Sequence, residues 1–130
     1  MGGERILIVE DNEKNLKLVR DVLRHHGYET VEARTAEDAL AVVAAEAPDL
    51  ILMDLELPGM DGIDALGRLK SNEETSDIPV CALTALAMND DRERCLETGF
   101  DGYLSKPIDI ATFPGEVRTL LGVSDGEVVP

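Results

Sequence analysis

Ile51-Leu52-Met53-Asp54-Leu55-Glu56-Leu57-Pro58-Gly59-Met60-Asp61-Gly62 is the stretch on which the fold turns. An apolar run ends in a lone carboxylate, Asp54, and a Pro-Gly turn and a helical pattern follow. Two earlier acids, Glu10 and Asp11, end the apolar run Ile6-Leu7-Ile8-Val9. Thr84 and the pair Lys106-Pro107 close two later runs. Polar groups at the ends of several buried runs point to one shared site rather than to scattered surface.

A short apolar run without alternation is what a strand covered on both faces looks like. Residues 5–10 fit that pattern, and further short strands are expected at 28–33, 49–53, 79–83 and 102–105. Helical spacing appears between them, in Leu16, Val19, Val22 and Leu23, in Ala39, Leu40 and Val43, and in Ile63, Leu66 and Leu69. A further helix is expected over about 89–98, ending at Gly99. Thr35 reads as an N-cap, with Asp38 three residues on as a variant capping box. Gly27 stands where a helix C′ residue belongs. His25 and His26 fall in that last turn, where positive charge complements the dipole. They read as surface or capping residues, because no cysteine or acid is spaced to make a metal site with them. Pro48 ends a connection and 71–77 is a polar loop.

The last helical pattern is Ile110, Phe113, Val117, Leu120 and Leu121, interrupted by Pro114 and Gly115. A proline inside a helix loses an amide bond and clashes with the preceding turn. Regular helix is therefore predicted to start near Thr112 or Phe113, after an irregular turn. Residues 1–122 read as one domain and 123–130 as a frayed tail.

Strict alternation of strand and helix implies an α/β protein: a doubly wound five-stranded parallel sheet with five helices on its two faces. The expected strand order is 2-1-3-4-5, the common flavodoxin-like arrangement of such sheets, which periodicity alone does not select. In these sheets the functional crevice lies beyond the carboxyl ends of the strands, where Glu10, Asp11, Asp54, Thr84 and Lys106 all fall.

Composition narrows the function. A chain of 130 residues suits one domain with a sizeable core, and aromatics at 3% make that core aliphatic. Twenty-seven acids against twelve bases give a net charge of −15, which argues against direct nucleic-acid binding and favours basic partner patches. No apolar run approaches the roughly 18 residues of a membrane span, and the N-terminus lacks a signal-peptide pattern. Cys81 and Cys95 are too few for a disulfide framework and read as reduced thiols of a cytoplasmic protein.

Three carboxylates converging on one pocket repel one another, by on the order of 4 kcal/mol per pair at about 4 Å and an effective dielectric of 20. They need a proton, a lysine or a metal. All-oxygen ligands suit a hard cation, with a partly hydrated Mg2+ the natural fit and Mn2+ the alternative. An aspartate can also be a nucleophile that forms an acyl phosphate. A transferring phosphoryl group needs its oxygens neutralised and its geometry fixed. Lys106 can supply a point charge, and the Thr84 hydroxyl can donate to a phosphoryl oxygen. Taken singly, Asp54 fits a turn or an N-cap, Thr84 a strand-end hydroxyl, Lys106 a solvated charge, and Glu10-Asp11-Asn12 a helix cap. Their common position at the ends of one sheet favours the site.

The chain resembles the receiver domains of the CheY-like response-regulator superfamily from about residue 5 to 121. The motifs that carry this are Glu10-Asp11, Met53-Asp54 with Pro58-Gly59-Met60-Asp61-Gly62, Thr84-Ala85, and Gly99-Phe100-Asp101-Gly102-Tyr103-Leu104-Ser105-Lys106-Pro107. The resemblance implies that Asp54 is the phosphoacceptor. It makes Asp11 a direct metal ligand, Glu10 a ligand through water, and Glu56 a ligand through its backbone carbonyl. It makes Thr84 and Tyr103 the switch pair and Lys106 the phosphate-contacting lysine, before a Lys106-Pro107 bond that is usually cis. It implies a phospho-histidine donor on a sensor histidine kinase or phosphotransfer protein. It also implies a downstream protein target, read by the face of strand five and the helices at 89–98 and 110–121.

Such a protein phosphorylates and dephosphorylates itself rather than turning over a substrate. Glu56 and Leu86, two residues beyond Asp54 and Thr84, stand where similar proteins tune phosphoryl lifetime. Alternative readings are a receiver module of a larger regulator, a phosphate-independent binding module, and a Mg2+-dependent hydrolase. The last lacks a second acid of the aspartate type beside Asp54.

Overall fold

A computed structural model describes residues 4–55, 62–84, 97–105 and 108–121. The elements are β1 (Arg5–Val9), α1 (Glu13–His25), β2 (Glu29–Ala33), α2 (Ala36–Ala45), β3 (Leu50–Asp54), α3 (Gly62–Ser71), β4 (Val80–Thr84), β5 (Gly102–Ser105) and α4 (Phe113–Leu120). The strands form one sheet in the order β2-β1-β3-β4-β5, with every pairing parallel.

The unalternating apolar runs follow from two cores, one on each face. Leu7, Val9, Ile51, Met53, Val80 and Ala82 face α2 and α3. Ile6, Ile8, Leu50, Leu52, Cys81 and Leu83 face α1 and α4. Successive strand residues point to opposite faces, so both parities must be apolar. Each fully buried aliphatic side chain contributes about 1.5–3 kcal/mol, well above any difference in intrinsic propensity, so burial decides these elements.

Local signals set the helix ends. Asn12 Oδ1 accepts from the amides of Lys14 at 3.0 Å and Asn15 at 3.1 Å, which starts α1. Thr35 Oγ1 accepts from the Asp38 amide at 3.0 Å, which starts α2. Gly27 follows α1 at φ 90°, the left-handed conformation a C′ residue adopts. His25 and His26 are exposed beside it. Glu97 and Thr98 are helical and stop at Gly99, φ 123°. They fall at the end of the stretch expected to be helical, 89–98, the rest of which lies outside the described residues. Four full helices are therefore described where five were expected.

The final helix starts at Phe113, as the proline required. Asp109 organises the turn before it: its Oδ1 accepts from the Ala111 amide at 2.9 Å, and its carbonyl accepts from the amides of Thr112 and Phe113. Pro114 then sits in the first turn, where its missing amide proton costs nothing.

Several boundaries and faces differ from the sequence expectation. Glu10, Tyr28, Asp49 and Pro79 fall just outside their strands, while Asp54 and Thr84 are the last residues of theirs. Asp49 is instead a side-chain partner, accepting from the Arg5 amide at 2.8 Å. Ile63 and Ile110, expected on buried helix faces, are 48% and 57% exposed. Ala65 takes the buried position in α3, and Ile110 belongs to the turn before α4.

Lys70 ties the sheet's far end together. Its Nζ donates to the carbonyls of Ser76 and Ile78 and to Asp101 Oδ2. The same Asp101 oxygen accepts from the Val80 amide at 2.8 Å. One lysine thus joins the α3–β4 connection to the turn that feeds β5.

Candidate functional site

The parallel register delivers the acids to one edge. Val9 is the Cα partner of Ala33 on one side and Met53 on the other, so Glu10 and Asp54 leave neighbouring strands at the same level. The Glu10 amide donates to the Ala33 carbonyl at 3.0 Å, and Glu10 Oε2 accepts from the Asn12 amide at 3.1 Å. These bonds hold the β1–α1 turn over the sheet edge. The Leu55 amide donates to the Leu83 carbonyl at 2.9 Å, which keeps β3 beside β4 through Asp54.

One carboxylate oxygen each from Glu10, Asp11 and Asp54 lies within 4.8 Å of the others. Glu10 and Asp54 are 1% exposed, while Asp11 is exposed. The cluster is thus two buried acids with a solvent-facing third. At that spacing each like-charge pair opposes its neighbour by roughly 3–4 kcal/mol at an effective dielectric of 20. Opposite ligands of a Mg2+ ion stand about 4.2 Å apart, so this hard-oxygen set fits such a cation with a small closure, or with one acid acting through water.

Thr84, 2% exposed, ends β4 next to Leu83, the Cα partner of Asp54. Tyr103 in β5 is half-buried and packs against the core on the α2–α3 face. Of the site residues expected from sequence, Glu10, Asp11 and Asp54 meet at the carboxyl edge, Thr84 ends the neighbouring strand, and Tyr103 lies one strand further on. Glu56, Leu86, Lys106 and the Lys106-Pro107 bond lie outside the described residues.

Sequence reading did not mark Glu13 and Arg34, whose side chains form an ion pair across the mouths of the β1–α1 and β2–α2 turns. No local pattern could have found it, because the partners are 21 residues apart.

A parallel five-stranded sheet in this order, with an acidic cluster past the central strands, is an arrangement shared by a class of signalling receivers. The chain belongs to the response regulator receiver domain family, which it matches over residues 6–118, and it is a receiver of the two-component signalling type. It is 44% identical over 117 residues to the polar-differentiation response regulator DivK of Brucella ovis, covering 90% of this chain and 95% of that protein. The receiver domain of a Pseudomonas aeruginosa sensor histidine kinase, solved with a magnesium ion coordinated in its active-site cleft, is 35% identical. It superposes with a TM-score of 0.84 over 93% of this chain and 99% of that one. The receiver domain of a signal transduction histidine kinase from Syntrophus aciditrophicus is 34% identical, with a TM-score of 0.83 over 92% and 90% of the two chains. Among the described residues, no helix is long and apolar enough to cross a membrane.

Proposed function

We propose that this receiver accepts a phosphoryl group on Asp54 from a phospho-histidine and signals through a protein partner. The observation that carries the reading is the convergence of Glu10, Asp11 and Asp54 within 4.8 Å at the carboxyl edge of the sheet. An Asp54 oxygen attacks phosphorus, an O–P bond forms, and the bond to the donor nitrogen breaks with its electron pair leaving on the imidazole.

Asp11, Asp54 and Glu10, with the Glu56 carbonyl, would hold Mg2+ or Mn2+. The bound ion would supply positive charge that offsets the three acids and a phosphoryl oxygen. The buried walls around Asp54 and Glu10 limit water at the nucleophile. The Thr84 hydroxyl donates to a phosphoryl oxygen, and Lys106 supplies a second cation. Drawing Thr84 toward the acyl phosphate changes the space open to Tyr103, and through it the face around β5.

This is a self-modifying switch rather than a turnover enzyme. Its donor is a sensor histidine kinase or phosphotransfer protein, its output a downstream protein, and its setting the cytoplasm. The match to a response regulator over 95% of that protein's length supports the receiver reading. The family match over residues 6–118 supports a receiver that takes up nearly the whole of residues 1–122.

The test is incubation with acetyl phosphate, with and without Mg2+, read by intact mass beside Asp54→Ala. A phosphoryl-mass adduct that requires both Mg2+ and Asp54 is expected. An adduct that survives Asp54→Ala would move the phosphosite elsewhere.

A further inference from the structure

Glu13 and Arg34 pair at the mouth of the acidic site, and both are bound closely to its frame. Glu13 follows Asn12, whose amide is bonded to Glu10 Oε2. Arg34 follows Ala33, whose carbonyl is bonded to the Glu10 amide. Each partner is therefore one residue beyond a backbone group that holds Glu10. Glu13 is also two residues from Asp11, so the Cα atoms of these two lie within about 8 Å. Backbone spacing of that order is about one screening length at physiological ionic strength, the range over which an unpaired charge on Glu13 would act on the site.

Stability does not explain the pair. The Arg34 and Glu13 side chains are 50% and 77% exposed, and exposed ion pairs contribute little to folding. Electrostatics gives it a different use. Without Arg34, Glu13 would stand as a fourth negative charge beside Glu10, Asp11 and Asp54. Without Glu13, Arg34 would place an uncompensated cation where a divalent ion must enter.

We propose that the Glu13–Arg34 pair sets the divalent-cation affinity of the site, by keeping its rim neutral. This rests on the cation-site reading above. The two residues are positioning residues: neither ligates the ion, and each acts through the charge of the other.

The test is calorimetric titration of the full chain with Mg2+ alone, on wild type, Glu13→Gln, Arg34→Gln and the double variant. Lys17→Gln is the control, since it removes the same charge from an α1 residue paired with Asp21 instead. Arg34→Gln is expected to tighten Mg2+ binding about two- to fivefold, and Glu13→Gln to weaken it by a similar factor. The double variant should return near wild type, and Lys17→Gln should shift affinity less than Arg34→Gln. Thermal unfolding of each protein checks that it is folded, and the exposed site makes misfolding a small risk. The charge swap Glu13→Arg with Arg34→Glu gives a second reading, with affinity again near wild type. Glu13→Gln and Arg34→Gln moving affinity in the same direction, or Arg34→Gln matching Lys17→Gln, would overturn the inference while leaving the cation site standing. Wild type that takes up no Mg2+ would remove the cation site and the inference together.

Discussion

Thr84 and Tyr103 stand on the same face of neighbouring strands, one pleat apart. Tyr103 is the Cα partner of Ala82, and Thr84 lies two residues beyond Ala82, so both side chains lean to the α2–α3 side of the sheet. Leu83, between Ala82 and Thr84, is the Cα partner of Asp54. Thr84 therefore ends its strand between the one that carries Asp54 and the one that carries Tyr103.

That relation predicts a separation of chemistry from response. Thr84→Ala should still take up phosphoryl groups from acetyl phosphate, but lose the accompanying change at Tyr103. A hydrogen bond to a charged acceptor contributes about 1.5–3 kcal/mol, enough to bias two nearby states. Thr84→Ser should keep the response. Tyrosine NMR in a Tyr28→Phe background reads it, and an unchanged Tyr103 response in Thr84→Ala would break the proposed link.

The acidic cluster should cost stability when no cation is present. Asp54→Asn removes one of three converging charges and should raise stability by about 1–2 kcal/mol in chelator-treated protein. Mg2+ should then stabilise wild type in proportion to RT ln(1 + [Mg2+]/Kd), and Asp54→Asn much less. Thermal melts with and without Mg2+ measure both effects. Equal stabilisation of the two proteins would place the cation elsewhere.

Two glycines should respond in opposite directions to alanine. A Cβ at Gly102 would stand 2.7 Å from Leu120 Cδ2, so the half-buried Leu120 side chain must swing aside. Because the tip of a flexible side chain can yield, the loss falls at the low end of overpacking costs, about 1 kcal/mol. A Cβ at Gly67 in α3 meets nothing within 4 Å, and the exchange should stabilise the helix by about 0.5–1 kcal/mol. Urea unfolding compares them, and Leu120→Ala should relieve part of the Gly102→Ala loss.

The acid side of the stability profile carries a small contribution from α1. The Lys17 ammonium, hydrogen-bonded to Asp21, lowers that carboxyl's pKa, and Arg20 adds to the effect. A carboxyl depressed in the folded state stabilises above its unfolded pKa, and the contribution is lost as pH falls through the folded value. Both side chains are well exposed, so the contribution is small. Carboxyl NMR titration should find the Asp21 pKa moved up in Lys17→Gln, and a value unchanged from wild type would remove Lys17 as the cause.

Much of this protein is legible in local pattern. Ile6-Leu7-Ile8-Val9 and Ile51-Leu52-Met53 announce strands covered on both faces, because such strands need apolar residues at both parities. Thr35, Gly27 and Pro114 mark helix ends through bonds and dihedrals within a few residues. Those signals carry the parallel sheet, and the acids at its strand ends carry the candidate site. Other features arise only when the elements pack together. Ile63 and Ile110 fit helical spacing but face solvent, since spacing does not say which side a neighbour covers. Asp49 left its strand to bind the Arg5 amide, and Lys70 reached Asp101 across 31 residues. The Glu13–Arg34 pair belongs to the same kind. Side chains from different elements meet only once the sheet register is fixed, and that register comes from burial of the whole core rather than from any one segment.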